Sequence, residues 1–245
     1  MMAGTLYGLG VGPGDPELLT LKAHRLLTAA SVVAYPAPDT GDSFARSIVA
    51  DYLDDKQMEI PIIVPMRVER FPAKSVYDQA ATEIASHLDS GEDVVVLCEG
   101  DPFFYGSFMY LFERLAADYS CEVVPGVSSM MASAAAFGRP LAARNDVLTV
   151  VPSPLEDAQI LEQLKTSDAL CFIKVGRHLE RVRQLIQQAG LLSQAAYLER
   201  TTLPNQKIAP LADVTDAAAP YFSMILIYKG AEDWISQLPL SGVST

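Results

Sequence analysis

The apolar residues of this chain fall into short runs that alternate with segments of helical spacing. Val94–Cys98 is an unbroken apolar run, which is typical of a strand buried on both faces of a sheet. Further segments with strand character are Leu6–Leu9, Val32–Tyr35, Ile60–Val64, Val147–Val151, Ala169–Ile173, Ala195–Leu198 and Phe222–Tyr228. Helical patterns lie over Glu17–Thr28, Ser43–Leu53, Ser75–Leu88, Leu155–Lys165 and Leu179–Gln188. The alternation predicts an α/β fold with mostly parallel sheets.

The most favourable domain boundary lies between Tyr119 and Pro125. A predicted helix ends there, and Pro125 with Gly126 favours a turn. We therefore divide the chain into a first α/β domain over residues 1–121 and a second over residues 122–245. A chain of 245 residues is long enough for two domains with their own hydrophobic cores.

Composition and charge disfavour several classes of protein. Thirty acidic and eighteen basic residues give a net charge of −12, which disfavours a nucleic-acid partner because such binders carry a basic surface. No apolar run reaches the ~20 residues of a membrane span, and early glycines interrupt any signal-peptide pattern. We therefore expect a cytoplasmic protein without a membrane partner. Cys98, Cys121 and Cys171 are not spaced like metal ligands, so no metal site is expected.

Glycines crowd the segment after the first predicted strand, where residues 8–16 are GLGVGPGDP. Glycine permits positive φ and close approach of the backbone to a ligand. Asp15 is placed to cap the next helix, with Pro16 at its first position. A dinucleotide-binding fingerprint would need glycine in place of Pro13 or Asp15, so NAD is not favoured. The segment is compatible with a tight capped turn and with a ligand-binding turn.

Two later turns have similar chemistry. The Val94–Cys98 strand is followed by Glu99-Gly100-Asp101-Pro102, and a third turn contains Pro125-Gly126-Val127-Ser128-Ser129. Ligands of open α/β sheets bind beyond the carboxyl ends of the strands, so both Gly-Asp-Pro turns are expected to face one crevice. Asp101 is suited to capping a following helix. The third turn can begin a closely packed helix, or a helix whose free N–H groups and hydroxyls hold a polar ligand.

Together the three turns resemble those of the tetrapyrrole methylase family. The matching segments are Val11–Thr20, Glu99–Gly106 and Val124–Ser129, in the family's order and spacing. Tyr35-Pro36 and Tyr105–Tyr110 resemble the branch that methylates C20 of precorrin-2 in cobalamin biosynthesis. The resemblance implies a C-methyltransferase that uses S-adenosylmethionine, releases S-adenosylhomocysteine, and acts on precorrin-2 or on cobalt-factor II.

The resemblance also implies where the cofactor binds. It implies two α/β domains with the cofactor in the cleft between them, usually in a homodimer. The cofactor contacts that carry over by position in the motifs are Pro13, Glu99, Gly100, Asp101, Phe104, Ser128 and Ser129. Outside the motifs they are Lys174, Thr201 and Met224.

Some positions depart from the family's pattern. Ser128-Ser129 stands where Thr-Ala is frequent, and a methionine is common near Lys174. Relatives that methylate uroporphyrinogen III carry an aspartate after the second strand, whereas this chain has Pro36, which argues against that reaction. No catalytic acid or base is therefore inherited. The candidates for accepting the proton that leaves the ring are Glu99, Asp101 and Tyr105.

The substrate that the resemblance implies is an octacarboxylate, while the chain itself is acidic. Local cations must offset the repulsion. An arginine can hold a carboxylate through two parallel hydrogen bonds. The candidate substrate-binding residues are Arg67, Arg70 and Lys74 in one segment and Arg139 and Arg144 in another.

The sequence leaves other functions open. Methylation at another position of the corrin ring is one, because the family shares its cofactor turns. A relative acting on a macromolecule is another, on a diphthine-type histidine or an rRNA ribose, although the low basic content disfavours RNA. A third is a protein that binds the cofactor without turnover. The choice between the metal-free ring and its cobalt complex is open as well.

Overall fold

The structure, a computed structural model, describes residues 2–64 and 71–240, apart from the side chains of residues 71–73. The chain divides into two compact units, Met1–Ser128 and Ser129–Thr245, and each contains a five-stranded sheet. The predicted α/β class is confirmed. The predicted boundary after Cys121 falls inside a strand of the first sheet, and the units divide after Ser128.

The sheet of the first unit is parallel in all its described pairings. Its strands are β1 (Thr5–Gly10), β2 (Val32–Ala37), β3 (Met58–Ile63), β4 (Val94–Cys98) and β5 (Ser120–Val124). The strand order is β3-β2-β4-β1-β5, so the first strand lies between the fourth and the fifth. β4 is buried along its whole length, as its unbroken apolar run predicts.

The helices of the first unit cover the two faces of this sheet. Val96 and Leu111 belong to one hydrophobic cluster, and Leu97 and Leu27 belong to the other, because successive side chains of a strand point to opposite faces. The helices are α1 (Leu21–Ala29), α2 (Phe44–Ile48), α3 (Phe71–Asp89) and α4 (Phe108–Leu115).

The helix predicted over Glu17–Thr28 is divided in the structure. A 3-10 helix covers Pro16–Leu18, and α1 begins only at Leu21. The division follows from a second cap, since Thr20 Oγ1 accepts the N–H of Ala23 at 3.2 Å. The predicted helix over residues 43–53 likewise becomes α2 and a short 3-10 helix over residues 50–52.

The sheet of the second unit is mixed, so the prediction of mostly parallel sheets is wrong here. Its strands are β6 (Leu148–Pro152), β7 (Ala169–Ile173), β8 (Ala195–Glu199), β9 (Lys207–Pro210) and β10 (Ser223–Tyr228). The order is β6-β7-β10-β8-β9; β6 and β7 are parallel, and the other described pairs are antiparallel. No α-helix lies between β8 and β10, so these strands lack the helical crossovers that parallel pairing usually uses.

The helices of the second unit are α5 (Ser129–Phe137), α6 (Asp157–Thr166), α7 (Leu179–Gln188) and α8 (Asp233–Ser236). α6 and α7 pack on the sheet face that carries Phe172 and Ile225. Ser133 of α5 contacts Met224, which points to the opposite face of β10 because it precedes Ile225. Among residues 2–64 and 71–240, no helix has the length and apolar character needed to span a membrane.

Candidate functional site

The turns that follow β1 and β4 are joined by their backbones. The N–H of Gly100 donates to the carbonyl of Gly12 at 2.8 Å, and the N–H of Gly12 donates to the carbonyl of Gly100 at 3.3 Å. Both residues have positive φ, 82° for Gly12 and 63° for Gly100, a region that glycine enters without steric cost. The two Gly-Asp-Pro segments therefore lie side by side at the carboxyl ends of adjacent strands.

The third turn packs against the same bridge. A β-carbon on Gly10 would lie 2.5 Å from the nitrogen of Gly126 and 2.6 Å from the carbonyl oxygen of Gly100. A β-carbon on Gly126 would overlap that same oxygen. Three turns from β1, β4 and β5 thus meet backbone against backbone, and any side chain at Gly10 or Gly126 would push them apart.

Asp101 fastens the second turn to the third. Its Oδ1 accepts the N–H groups of Phe103 at 2.9 Å and Phe104 at 3.1 Å, and its Oδ2 accepts the N–H of Gly126 at 3.1 Å. The prediction that Asp101 caps a helix is wrong, because it caps a turn and α4 begins only at Phe108. With both oxygens engaged by backbone amides, Asp101 is better suited to holding the turns than to proton transfer.

Glu99 is the half-buried carboxyl at the end of β4. Burial raises the pKa of Glu99, and hydrogen bonds from its own backbone N–H and from that of Ala45 in α2 oppose the rise. A carboxyl in this setting can exchange a proton closer to neutral pH than an exposed glutamate. Tyr105, the remaining proton-acceptor candidate, is 47% exposed and has a φ of 58°.

The first turn has the predicted local geometry. Pro13 is buried, and Asp15 Oδ1 accepts the N–H of Glu17 at 2.8 Å with Pro16 at the first helical position. The capped element is the 3-10 helix rather than an α-helix. Phe104 is half-buried and lies edge-on to Tyr105, with ring centroids 5.2 Å apart.

A polar network of side chains from α2, β2 and β3 was not foreseen from the sequence. Arg46 of α2 holds Glu59 through two hydrogen bonds, Nε–Oε2 at 2.5 Å and Nη2–Oε1 at 2.7 Å. The hydrogen bond from Arg46 lowers the pKa of Glu59, while burial and then Glu59 raise the pKa of Tyr35. Pro36, predicted to follow the second strand, lies within β2. An alternating polar position in β3 was the available signal for Glu59.

In the second unit, Thr201 and Met224 come together through Ser133 of α5. Ser133 Oγ lies 3.0 Å from Thr201 Oγ1 and 3.6 Å from Met224 Sδ. The three side chains are buried, between 1% and 9% exposed. Thr201 and Met224 were predicted as cofactor contacts. Ser133 was not predicted as a contact, because it lies among other small residues and no motif distinguishes it. Ser128, at 7% exposure, is also buried, and half-buried Ser129 begins α5.

Left-handed backbone is concentrated after two strands of this unit. Lys174, directly after β7, has a φ of 56°; Arg200, directly after β8, has a φ of 49°, and Thr202, two residues later, has a φ of 73°. Such conformations cost energy in residues with a β-carbon and cluster at functional sites. Lys174 is exposed. Because Met224 of β10 pairs with Leu198 of β8, Met224 lies at the same end of the sheet as the turn containing Thr201.

The candidate substrate-binding cations have different environments. Arg67 and Arg70 lie outside the described residues, and Lys74 is an exposed residue of α3. Arg144 is exposed and forms an ion pair with Glu232 at 2.6 Å. Arg139 is only 5% exposed. The described residues contain no cluster of three or more His, Cys, Asp or Glu side chains suited to a metal ion.

Comparisons with known proteins agree with the motifs. Residues 5–215 match the model of the family described as Tetrapyrrole (Corrin/Porphyrin) Methylases. The precorrin-2 C(20)-methyltransferase of a Sinorhizobium species is 39% identical over 232 residues, which cover 91% of this chain and 95% of that protein.

The cobalamin biosynthesis protein CobIJ of Mycobacterium tuberculosis is 40% identical over 235 residues, or 93% of this chain. Only 46% of CobIJ is covered, so the chain spans about half the length of that relative. The structure resembles that of uroporphyrin-III C-methyltransferase from Thermus thermophilus complexed with S-adenosylhomocysteine. The TM-score is 0.66 at 24% identity, over 91% of this chain and 97% of the other. At this identity the likeness establishes a shared fold.

Proposed function

Since the chain belongs to the tetrapyrrole (corrin/porphyrin) methylase family, we propose that it transfers a methyl group from S-adenosylmethionine to C20 of precorrin-2, or of its cobalt complex, in cobalamin biosynthesis. The observation that carries the proposal is the meeting of Gly12, Gly100 and Gly126 at the strand ends, within the segments that match the family's motifs. The name of the Sinorhizobium relative favours C20 over other ring positions.

The proposal assigns cofactor contacts in each unit. In the first unit the backbone at Gly100 can come close to a ligand because no side chain intervenes. In the second, the hydroxyl of Thr201 and the sulfur of Met224 are held in place by Ser133. The proposed contacts are Pro13, Glu99, Gly100, Asp101, Phe104, Ser128, Ser129, Lys174, Thr201 and Met224.

When bound, S-adenosylmethionine supplies an activated methyl group, so the protein chiefly binds, aligns and excludes water. Asp101 keeps the second and third turns in register, which fixes the backbone around Gly100. The carbon that is methylated must afterwards lose a proton. Among the three candidates we assign that proton to Glu99, because its carboxyl is half-buried and its pKa is raised, while Asp101 is occupied by three backbone amides.

The proposal includes a homodimer in the cytoplasm and a tetrapyrrole substrate whose carboxylates are bound by cations from Arg67, Arg70, Lys74, Arg139 and Arg144. Within this set, Arg144 already has an anionic partner in Glu232. We therefore give it less weight than Arg67 and Arg70 as a substrate contact.

The decisive experiment is incubation of the purified protein with S-adenosylmethionine and either precorrin-2 or cobalt-factor II. Mass spectrometry should show one added methyl group, and NMR of the product should place it at C20. A methyl group at another ring carbon would support a different corrin methylase. Cofactor binding without turnover of either substrate would contradict the proposal and favour a protein that only binds the cofactor.

A further inference from the structure

Arg139 is a buried cation without an anionic partner among the described residues. Its side chain is 5% exposed, and its Nε has no hydrogen-bond acceptor. Its described side-chain contacts are with aromatic rings, where the guanidinium carbon lies 5.8 Å from the ring centre of Phe137 and 6.0 Å from that of Tyr228. Arginine is rarely buried unless it is paired, so this environment calls for a ligand.

The local sequence explains why the side chain points inward. Gly138 ends α5 in the left-handed conformation, with a φ of 69°. The N–H of Arg139 then donates to the carbonyl of Ala134 at 3.1 Å, and that of Gly138 donates to Ala135 at 3.0 Å. This helix ending turns the chain back, as glycine commonly does at this position. Arg139 is thereby placed over the sheet rather than in solvent.

A small recess lies beside the guanidinium, partly open to solvent. Apart from Arg139 its walls are apolar or aromatic, formed by Phe137, Pro140, Leu141, Leu170, Leu226, Ile227 and Tyr228. None of these residues is acidic. The recess has room for a water-sized group, which is enough for the head of a carboxylate whose remainder stays outside.

The nearest polar group in the wall is already engaged. The hydroxyl of Tyr228 donates to Asp146 Oδ2 at 2.8 Å, and Asp146 also accepts the N–H of Ala143 at 2.9 Å. Burial lowers the pKa of Arg139, and the nearby Tyr228 opposes this shift. An anion that enters the recess would provide the guanidinium of Arg139 with a partner. In this buried environment of low dielectric constant, hydrogen bonds between charged groups are strong.

We propose that the recess at Arg139 binds a carboxylate group, held by the guanidinium and flanked by the rings of Phe137 and Tyr228. The site is separate from the proposed cofactor contacts of this unit. Tyr228 and Met224 lie four residues apart on β10, which corresponds to about 13 Å along a strand. The carboxylate belongs either to a small free acid or to an arm of the tetrapyrrole, and the second source rests on the proposed function.

The test measures the melting temperature while sodium formate or acetate replaces sodium chloride at constant ionic strength. The wild-type protein should become more stable as carboxylate is added, whereas Arg139→Met should not respond. Arg139→Lys keeps the charge but loses the planar fork, so it should bind formate about tenfold or more weakly. Arg177→Met is the matched control, because Arg177 is an exposed arginine of the same unit outside the proposed contacts, and it should respond as the wild type does.

Uroporphyrin, a tetrapyrrole octacarboxylate, distinguishes the two sources. Weaker uroporphyrin binding by Arg139→Met than by Arg177→Met would assign the recess to a tetrapyrrole arm. Equal binding, together with a lost formate response, would assign it to a free acid, and neither result depends on methyl transfer. An equal formate response in the wild type and in Arg139→Met would overturn the proposal. So would the absence of any carboxylate-specific response in the wild type.

Discussion

The carboxylate of Asp101 accepts the backbone N–H of Gly126 at 3.1 Å, so one side chain connects the turn after β4 with the turn after β5. Its other oxygen is used within its own turn, by Phe103 and Phe104. The strands bring the turns to the same edge of the sheet, and Asp101 then fixes their spacing. We expect residues in this contact to influence cofactor binding even where they do not touch the cofactor.

Replacing Asp101 with Asn should separate the two turns. The amide can accept with only one oxygen, and its NH₂ group would face either Gly126 or the N–H pair of Phe103 and Phe104. We expect a loss of about 1–3 kcal/mol in the free energy of unfolding and weaker binding of S-adenosylhomocysteine. Denaturant unfolding and calorimetry measure the two effects. Asp54→Asn, in an exposed turn where Asp54 accepts the N–H of Lys56, is the control and should change neither.

A methyl group at Gly126 should disturb the same contact by a different route. Gly126→Ala would place a β-carbon against the carbonyl of Gly100, and the turns would have to move apart. We expect at least a tenfold loss in affinity for S-adenosylhomocysteine. In the control Gly190→Ala nothing lies near the new β-carbon, so only the positive φ of 73° costs energy, about 1–2 kcal/mol, with cofactor affinity unchanged. Equal affinities in the two variants would show that the turns do not form the cofactor site.

Glu99 should make stability depend on pH. A carboxyl whose pKa is raised by burial binds its proton more tightly in the folded state. Its stabilising contribution is complete below the unfolded pKa of about 4.3 and is lost as the pH rises through the raised folded pKa. The free energy of unfolding of the wild type should therefore fall relative to Glu99→Gln as the pH rises above the unfolded pKa of about 4.3. Glu113→Gln, with a side chain that is 77% exposed, should show no such trend.

The same variant tests proton transfer. With Glu99 as the acceptor, kcat of Glu99→Gln should fall by about a hundredfold or more, and the acid limb of the pH–rate profile should disappear. The KM for the tetrapyrrole should change much less. If Glu99→Gln retains kcat, the proton acceptor is Tyr105 or solvent rather than Glu99.

Thr201→Val should remove a buried hydrogen bond in the second unit. The valine has nearly the same shape, but Ser133 would lose its hydrogen bond of 3.0 Å to Thr201. We expect a cost of about 1–3 kcal/mol in stability and weaker binding of S-adenosylhomocysteine. Thr166→Val is a matched control because its hydroxyl donates to the carbonyl of Glu162 at the exposed end of α6, and it should leave cofactor binding unchanged. Normal cofactor affinity in Thr201→Val would remove Thr201 from the proposed contacts.

The basic segment around Arg67 and Arg70 is tested by a double substitution with alanine. We expect tetrapyrrole binding to weaken by about tenfold per lost contact, while S-adenosylhomocysteine binding stays the same. Added salt should reduce the difference, provided that the contacts are exposed. Arg25→Ala, on the exposed surface of α1, controls for the change in net charge. Unchanged tetrapyrrole affinity in the double variant would direct attention to Arg139.

The sequence predicted correctly those strands and helices whose hydrophobic pattern within one segment determines their structure. Val94–Cys98 and Leu179–Gln188 have the predicted bounds, because an unbroken apolar run and a strong helical period each have one interpretation. Strand direction in the second sheet was not predictable in this way, since Phe222–Tyr228 is apolar whether its neighbours run parallel or antiparallel. Lys207–Pro210 was missed because it is a short strand at the sheet edge, with no fully buried position.

The site residues likewise differ in how far they could be predicted from the sequence. The glycines and Asp15 follow rules that act within one turn, so their positions were predictable from the sequence. Contacts between distant segments were not, and Ser133 and Thr201 are 68 residues apart in the chain. The burial of Arg139 depends on the conformation of Gly138 at the end of α5, whereas the charge alone suggested a surface contact for a carboxylate.

The position of β1 has a consequence for the order in which the first unit folds. Its pairing partners, at Leu6 with Val94 and with Cys121, are synthesised long after it. Such high contact order slows folding, because the entropy of closing large loops is lost before any pairing compensates it. A nascent chain that ends before β5 would leave one edge of β1 unpaired and open to association with other chains. The glycine turns would then be among the last parts to assemble, and ribosome-bound chains should bind S-adenosylhomocysteine only after β5 and Gly126 have emerged.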